Sequence, residues 1–435
     1  MKKFIITDYG AVVSDRLQTE AIQAAIDDCF LAGGGEVVIP AGIYRTGGLR
    51  LRSNVTLHLL SGAILEGSSD PEDYMSWRGD RLEPVSDIPS EEPKQYRSAL
   101  RTSRWNNALI RAFDAHDIAV IGETGSVISG MNCYDAKGEE DYRGPHGIDI
   151  WDSERVTLRG YTLRNTGNWA HAVFRSKEID MRNVSVFGGH DGVDVFLCEN
   201  VRIEDCAFYT GDDCLAGFGS RDVVMLRCIL NSACSSMRFG GTDVLIEDCR
   251  NCGEPRFDFR GGLSYDEKVR GAYSKRKTDR MTLTGFCYYC DNRFGELPYK
   301  PGNITVRRCE FDGVRTLFMM TYGDHIWCRG TPLESISFED CRIVGSTMPI
   351  HIHGDPTLGI DFTLKNVTLL PAYDHENDAF LDAENFGRLI LDGVKLEGFA
   401  SPHMILRSDG KLEVSNSSAF SIERAAAGAS GVAGV

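Results

Sequence analysis

The chain has no run of about 18 uninterrupted apolar residues, so no segment reads as a membrane-spanning helix. Its start, MKKFIITDYGAV, has two lysines but no sustained apolar stretch before Asp8; no signal peptide is read, and a cytoplasmic location is the expectation. Basic residues are in deficit: 47 Lys and Arg stand against 63 Asp and Glu, for a formal net charge of −16. That balance argues against nucleic acid and anionic membrane surfaces as main partners, and it requires a local basic pocket for any acidic substrate. The 14 cysteines are too thinly spread over 435 residues for a disulfide scaffold, and free thiols are expected. What the chain does have is apolar material, at 42% hydrophobic and 25% charged residues, enough for a large core.

That apolar material is repetitive. An alternating run closed by Asn, Gly or Cys recurs as RVTLRGYT (155–162), EIDMRNVS (178–185), NVRIEDCA (200–207), DVVMLRCI (222–229) and DVLIEDCR (243–250). It resumes as NITVRRCE (303–310), SISFEDCR (335–342), DFTLKNVT (361–368) and RLILDGVK (388–395). Val156, Ile179, Val201, Val223 and Val244 are spaced 23, 22, 22 and 21 residues apart. This period is too short for a βαβ unit and fits one turn of a parallel β-helix with about three short strands per coil. The expectation is an all-β, single-domain parallel β-helix over roughly residues 35–415. Cys206, Cys228, Cys249, Cys309 and Cys341 share one repeat position and read as a ladder of small buried thiols. Residues 1–35 read as a cap, because RLQTEAIQAAIDDCFLAGGG has helical periodicity and a solenoid end must be covered. The repeat lapses from about 251 to 302, which reads as an inserted loop over one face, and the tail from about 424 reads as frayed.

One stretch raises a chemical question. FYTGDDCLAG sets Asp212 beside Asp213 inside an apolar β-run, where adjacent like charges are costly. Asp191, in GGHDGVDVF, lies 21 residues earlier and therefore about one coil below Asp212. Three carboxylates then share a small patch, and a bend at Gly211 is expected to turn them toward a solvated cleft. Glycoside hydrolysis needs one carboxyl as acid and another as base, and clustering separates their proton affinities. From spacing alone, aspartates capping strand ends explain the pattern equally well.

The sequence resembles glycoside hydrolase family 28, the polygalacturonase family. The likeness rests on TDYGAVVSDRLQTEAIQAAIDDC, GGGEVVIPAGIYRTGGLRLRSNVTLHLLSGAILEGSSDPEDY and RGPHGIDIWDSERVTLRGYTLRNTGNWAHAV. It rests also on an intact Gly-Asp-Asp-Cys block at 211–214 and on GHDGVDV at the place of the family's Asn-Thr-Asp-Gly motif. The resemblance covers roughly residues 5–250 and implies a right-handed coil. It also implies Asp212 as general acid, with Asp191 and Asp213 activating water for inversion. The sequence departs from the family at its Gly-His-Gly motif, where SACSSMRFGG places Cys234 and Ser235. Phe218 stands for the family's lysine, and no clean Arg-Ile-Lys motif follows; Arg238 is the substitute cation considered. A selectivity different from plain polygalacturonate is therefore expected.

His190, Trp169, His325, His351 and His353 are further candidates for substrate contact, Trp169 by stacking on a sugar ring and His351 with His353 from one strand face. Trp327 could line the same groove. Two histidines are too few for a usual metal site, and the pairs Cys249/Cys252 and Cys287/Cys290 are farther apart than zinc-ribbon spacing, so neither a metal nor a cofactor is expected. The favoured function is an inverting glycosidase acting on a pectic or related oligosaccharide, with exo action as the expectation. A calcium-dependent polysaccharide lyase on the same fold and a non-catalytic glycan-binding β-helix remain as alternatives.

Overall fold

A computed structural model of the chain describes residues 2–74, 106–138, 142–259, 280–291, 295–323, 328–373 and 378–427, with isolated positions between them. The fold is a right-handed parallel β-helix with an N-terminal capping helix. Its contacts divide the chain into two compact units, residues 1–216 with 255–278, and residues 217–254 with 279–435.

In the first unit each coil contributes three strands. His146–Trp151, Glu154–Arg159 and Thr162–Arg164 make one coil, and His171–Phe174, Lys177–Arg182 and Ser185–Gly188 the next. Val193–Phe196, Glu199–Glu204 and Ala207–Thr210 follow. Every strand pairs in parallel with its counterpart one coil on, so Val156 aligns with Ile179 and then Val201, and Leu163 with Val186 and then Phe208. These residues are all buried, as the period-2 alternation of the repeats requires.

The residue that closes each repeat explains its polar signature. Asn183 and Asp205 in this unit, and Arg227, Asp248, Arg308, Asp340 and Asn366 in the other, hold φ between 50° and 55°, the left-handed corner that Asn and Asp tolerate best. The following residue then points inward. Where it is cysteine, its thiol donates to the carbonyl two residues back: Cys206 to Glu204 at 3.2 Å, Cys249 to Glu247 at 3.4 Å and Cys341 to Glu339 at 3.3 Å. Ser417 makes the same bond to Ser415 at 2.9 Å, so the position selects a small, weakly donating side chain rather than a reactive thiol. Cysteines at Cys249, Cys252, Cys287 and Cys290 are all free, and among the described residues neither Cys-x-x-Cys pair joins a group of ligand atoms within metal-binding range.

The cap is helix Thr19–Leu31, which buries Ile22, Ala25, Ile26 and Cys29 at helical spacing. It ends in a glycine run where a side chain on Gly34, at φ 109°, would strike the Asn54 carbonyl oxygen at 2.5 Å. The cap also holds a strand the sequence pattern does not reveal, Lys3–Ile5, paired with Gly35–Ile39.

The second unit carries its own inward column: Val244, Ile304, Ile336, Phe362, Leu389 and Leu412 align coil by coil. The expectation of one continuous loop over 251–302 is corrected here. Thr282–Tyr288 is a strand of the coil, paired with Ser235–Glu247 on one side and Val314–Thr321 on the other. Its Thr282, Thr284, Phe286 and Tyr288 alternate inward, but Gly285 and Cys287 between them blur the pattern against the polar run before it. Most of residues 260–279, and the tail from 428, lie outside the described residues. Phe362 is 0% exposed and meets Phe318 and Phe338 at centroid distances of 5.2 and 5.8 Å. Phe362→Ala is expected to cost about 3–5 kcal/mol of unfolding free energy, read from urea denaturation, because the stacked coils above and below restrict collapse into the hole.

Candidate active site

The strand after each third-strand turn begins with a four-residue approach that repeats: Thr166-Gly167-Asn168-Trp169, Gly188-Gly189-His190-Asp191 and Thr210-Gly211-Asp212-Asp213. The turn is held the same way twice, by the Thr166 hydroxyl donating to the Asn168 carbonyl at 2.5 Å and the Thr210 hydroxyl to the Asp212 carbonyl at 2.7 Å. The parallel register His171–Val193–Leu215 continues back through these turns. The Ala170 amide donates to the Asp191 carbonyl and the Gly192 amide to the Asp213 carbonyl, each at 2.9 Å.

This register builds two columns. Asn168, His190 and Asp212 form one; Trp169, Asp191 and Asp213 form the other. The spacing-based placement of Asp191 below Asp212 is thereby corrected: Asp191 lies below Asp213, and His190 below Asp212. Asp212 and Asp213 point out of one strand in opposite senses, yet they bring carboxylate oxygens within 4.8 Å of each other. The role expected of Gly211 also changes. It has no left-handed conformation; a side chain there would meet the Asp258 carbonyl oxygen at 2.1 Å, so glycine is required by close backbone approach.

The acids are not solvated as expected. Asp191, Asp212 and Asp213 are 1%, 8% and 0% exposed. A segment the sequence reading passed over covers the first column. Tyr142 lays its ring on His190 at 6.5 Å between centroids and 18° between planes. Arg143 donates to Asn168 Oδ1 at 3.3 Å and to Glu140 Oε1 at 3.3 Å, and its Nη2 stands 3.8 Å from Asp212 Oδ2. Backbone bonds fix this segment: the Asp135 amide donates to the Tyr142 carbonyl at 3.1 Å, and the Gly144 amide to the Gly167 carbonyl at 3.1 Å. The only sequence hint was the likeness of TGNW to TGDD, which marks Asn168 as the coil-below equivalent of Asp212.

Trp169 is 5% exposed, with its ring against His146 at 5.2 Å and Phe196 at 5.9 Å, so it serves here as a wall of the second column rather than an open stacking platform. Beneath the columns His171 is buried, with Nδ1 at 3.0 Å from the Gly192 carbonyl and Nε2 at 2.9 Å from the Tyr161 hydroxyl. Burial lowers its pKa from 6.5 to about 4. A histidine held neutral in the fold stabilises fully above its unfolded pKa and loses that contribution as pH falls from about 6.5 toward about 4. The loss is of order 3 kcal/mol. Urea midpoints should fall over this window, and His171→Asn should flatten the slope; an unchanged slope would discount His171.

In the second unit Arg238 extends over the Tyr289 ring at 4.4 Å. His351 and His353 do share a strand face, with ring centroids 3.8 Å apart. They meet Asp382, which sequence reading missed, through a 3.2 Å contact from His353 Nε2 to Oδ1. These three could supply metal ligands. Both oxygens of Asp382, however, already accept from Arg407 at 2.8 Å, and His351 Nε2 lies 2.9 Å from the Thr321 hydroxyl. Burial raises Asp382, but the bonds from His353 and Arg407 outweigh it and hold the pKa at about 2. The cluster reads as a satisfied buried network. His325 and Trp327 lie outside the described residues.

With this geometry in hand, the chain was compared with known proteins. The model of the Glycosyl hydrolases family 28 matches residues 96–241, which include both columns. A probable polygalacturonase of Vitis vinifera is 27% identical over 402 residues, covering 84% of this chain and 73% of the relative. An exo-poly-alpha-D-galacturonosidase of Dickeya chrysanthemi is 29% identical over 265 residues, 49% of this chain and 42% of the relative. Among solved structures, the family 28 exopolygalacturonase of Yersinia enterocolitica aligns over 97% of this chain and 77% of its own, with a TM-score of 0.55 and 19% identity, a likeness of fold. The chain is a polygalacturonase-like protein of glycosyl hydrolases family 28, and a glycosidase by kind.

Proposed function

We propose that this chain hydrolyses glycosidic bonds of a pectic oligosaccharide with inversion, releasing product from the chain end. Asp212 acts as general acid, and Asp191 with Asp213 holds and deprotonates the attacking water. The observation that carries the reading is the pair of columns. Asp191 and Asp213 stack in register on successive coils, one coil spacing of about 4.8 Å apart, so one water can accept both as partners. Asp212 leaves the strand on its other side, where an acid can meet the leaving oxygen. Chain-end action is supported by the name of the Dickeya relative. The family's own carboxylate-binding cations are missing from their motif positions, and this supports a selectivity other than that for plain polygalacturonate.

The test is incubation with a panel of pectic and neutral oligosaccharides, followed by mass spectrometry. Hydrolysis adds one water per bond cleaved, and chain-end action yields one short product from the first time point. Unsaturated, ultraviolet-absorbing products formed only with calcium would replace this reading by a lyase. Binding without turnover across the panel would replace it by a glycan-binding protein.

A further inference from the structure

The family's known cations are absent by sequence, yet a cation does stand at the acids. We infer that Arg143, together with the carboxamide of Asn168, is a receptor for the carboxylate of a uronate sugar bound beside Asp212. The inference rests on the proposed hydrolase reading and deepens it by naming the substrate class and the group that selects it.

Three observations carry it. Arg143 is 9% exposed and has its Nη2 3.8 Å from Asp212 Oδ2, close to where the leaving oxygen must lie if Asp212 protonates it. Its position is built rather than incidental. It sits at a bridge with Tyr134, and a side chain on Gly144 would strike the Cys133 carbonyl oxygen at 2.0 Å, so the backbone around it has one course. Asn168 is 0% exposed; its Oδ1 accepts from Arg143, while its buried Nδ2 has no hydrogen-bond acceptor. A buried amide nitrogen left in that state is costly unless an acceptor arrives. A guanidinium fork and an amide N–H₂, fixed against each other, match the two oxygens of a carboxylate. A neutral hexose would offer only hydroxyls, which can also donate, and would leave the positive charge unmatched. The uronate carboxylate and Asp212 then compete for one guanidinium, which leaves Asp212 freer to carry the proton for the leaving oxygen. Glu140, also bonded to Arg143, is exposed and can yield to the incoming anion.

The experiment compares kcat/KM on oligogalacturonate and on its methyl ester for the wild type, Arg143→Met and Arg143→Lys. The expected result is a fall of about 10–100-fold in the acid-to-ester ratio for Arg143→Met, carried in KM, with Arg143→Lys between it and the wild type. Equal losses on both substrates would overturn the receptor assignment and make Arg143 a support for Asp212. A measurement on the wild type alone guards against misfolded variants: galacturonate should inhibit at least about tenfold more strongly than its methyl ester. Equal inhibition would overturn the assignment. If the wild type cleaves neither substrate and binds neither, the hydrolase reading falls along with this one, whereas turnover with an unchanged ratio in Arg143→Met overturns the receptor alone.

Discussion

Asp212→Asn is expected to lower kcat by about 10²–10⁴-fold, the usual worth of a positioned general acid. The substitution keeps the size of the side chain and the Thr210 bond to the backbone carbonyl of residue 212, so the turn should survive and the loss should be chemical. What disappears is a transferable proton. The loss should therefore shrink on aryl glycosides whose leaving group departs without protonation, and this dependence separates an acid from a residue that merely binds. Wild-type rates in Asp212→Asn would remove it from the mechanism.

Asp191→Asn and Asp213→Asn are expected to fall by a similar order, about 10²–10⁴-fold, but with no relief from a good leaving group, because their work is at the water. The two stack in register and share one task, so the double variant should lose far less than the product of the single losses. NMR of the first product should show the anomeric centre inverted, as attack by water held on the opposite face requires. A retained anomer, or fully multiplicative losses, would withdraw the water-holding role.

Much of the fold was legible because its determinants are local. The 21–23-residue spacing from Val156 to Val244, the alternation within each run and the Asn, Asp or Arg before each inward Cys or Val all encode one coil. Such determinants survive reading in one dimension, since each concerns residues within a few positions. Strand Thr282–Tyr288 was lost where that locality failed, because Gly285 breaks the packing signal in the middle of the run. The candidate acids were likewise visible as residue types, through GDDC and GHDG, and in the structure they do come together.

Their arrangement was another matter. Counting placed Asp191 under Asp212, but the hydrogen-bonded register offsets these coils by 22 and sets it under Asp213; one residue of slip moves a side chain to the other face. Counting could not place Arg143 at all. It lies 69 residues before Asp212 in a segment without the repeat, and its distance to the acid is set by the bond from the Gly144 amide to the Gly167 carbonyl. The sequence by itself determined a parallel coil, its period and three carboxylates near one another, because these follow from side-chain alternation and a local turn. The tertiary structure alone decided which acids stack, that they are buried, and which cation meets them. Those outcomes depend on register and on backbone contacts between distant segments, neither of which leaves a mark on the residues nearby.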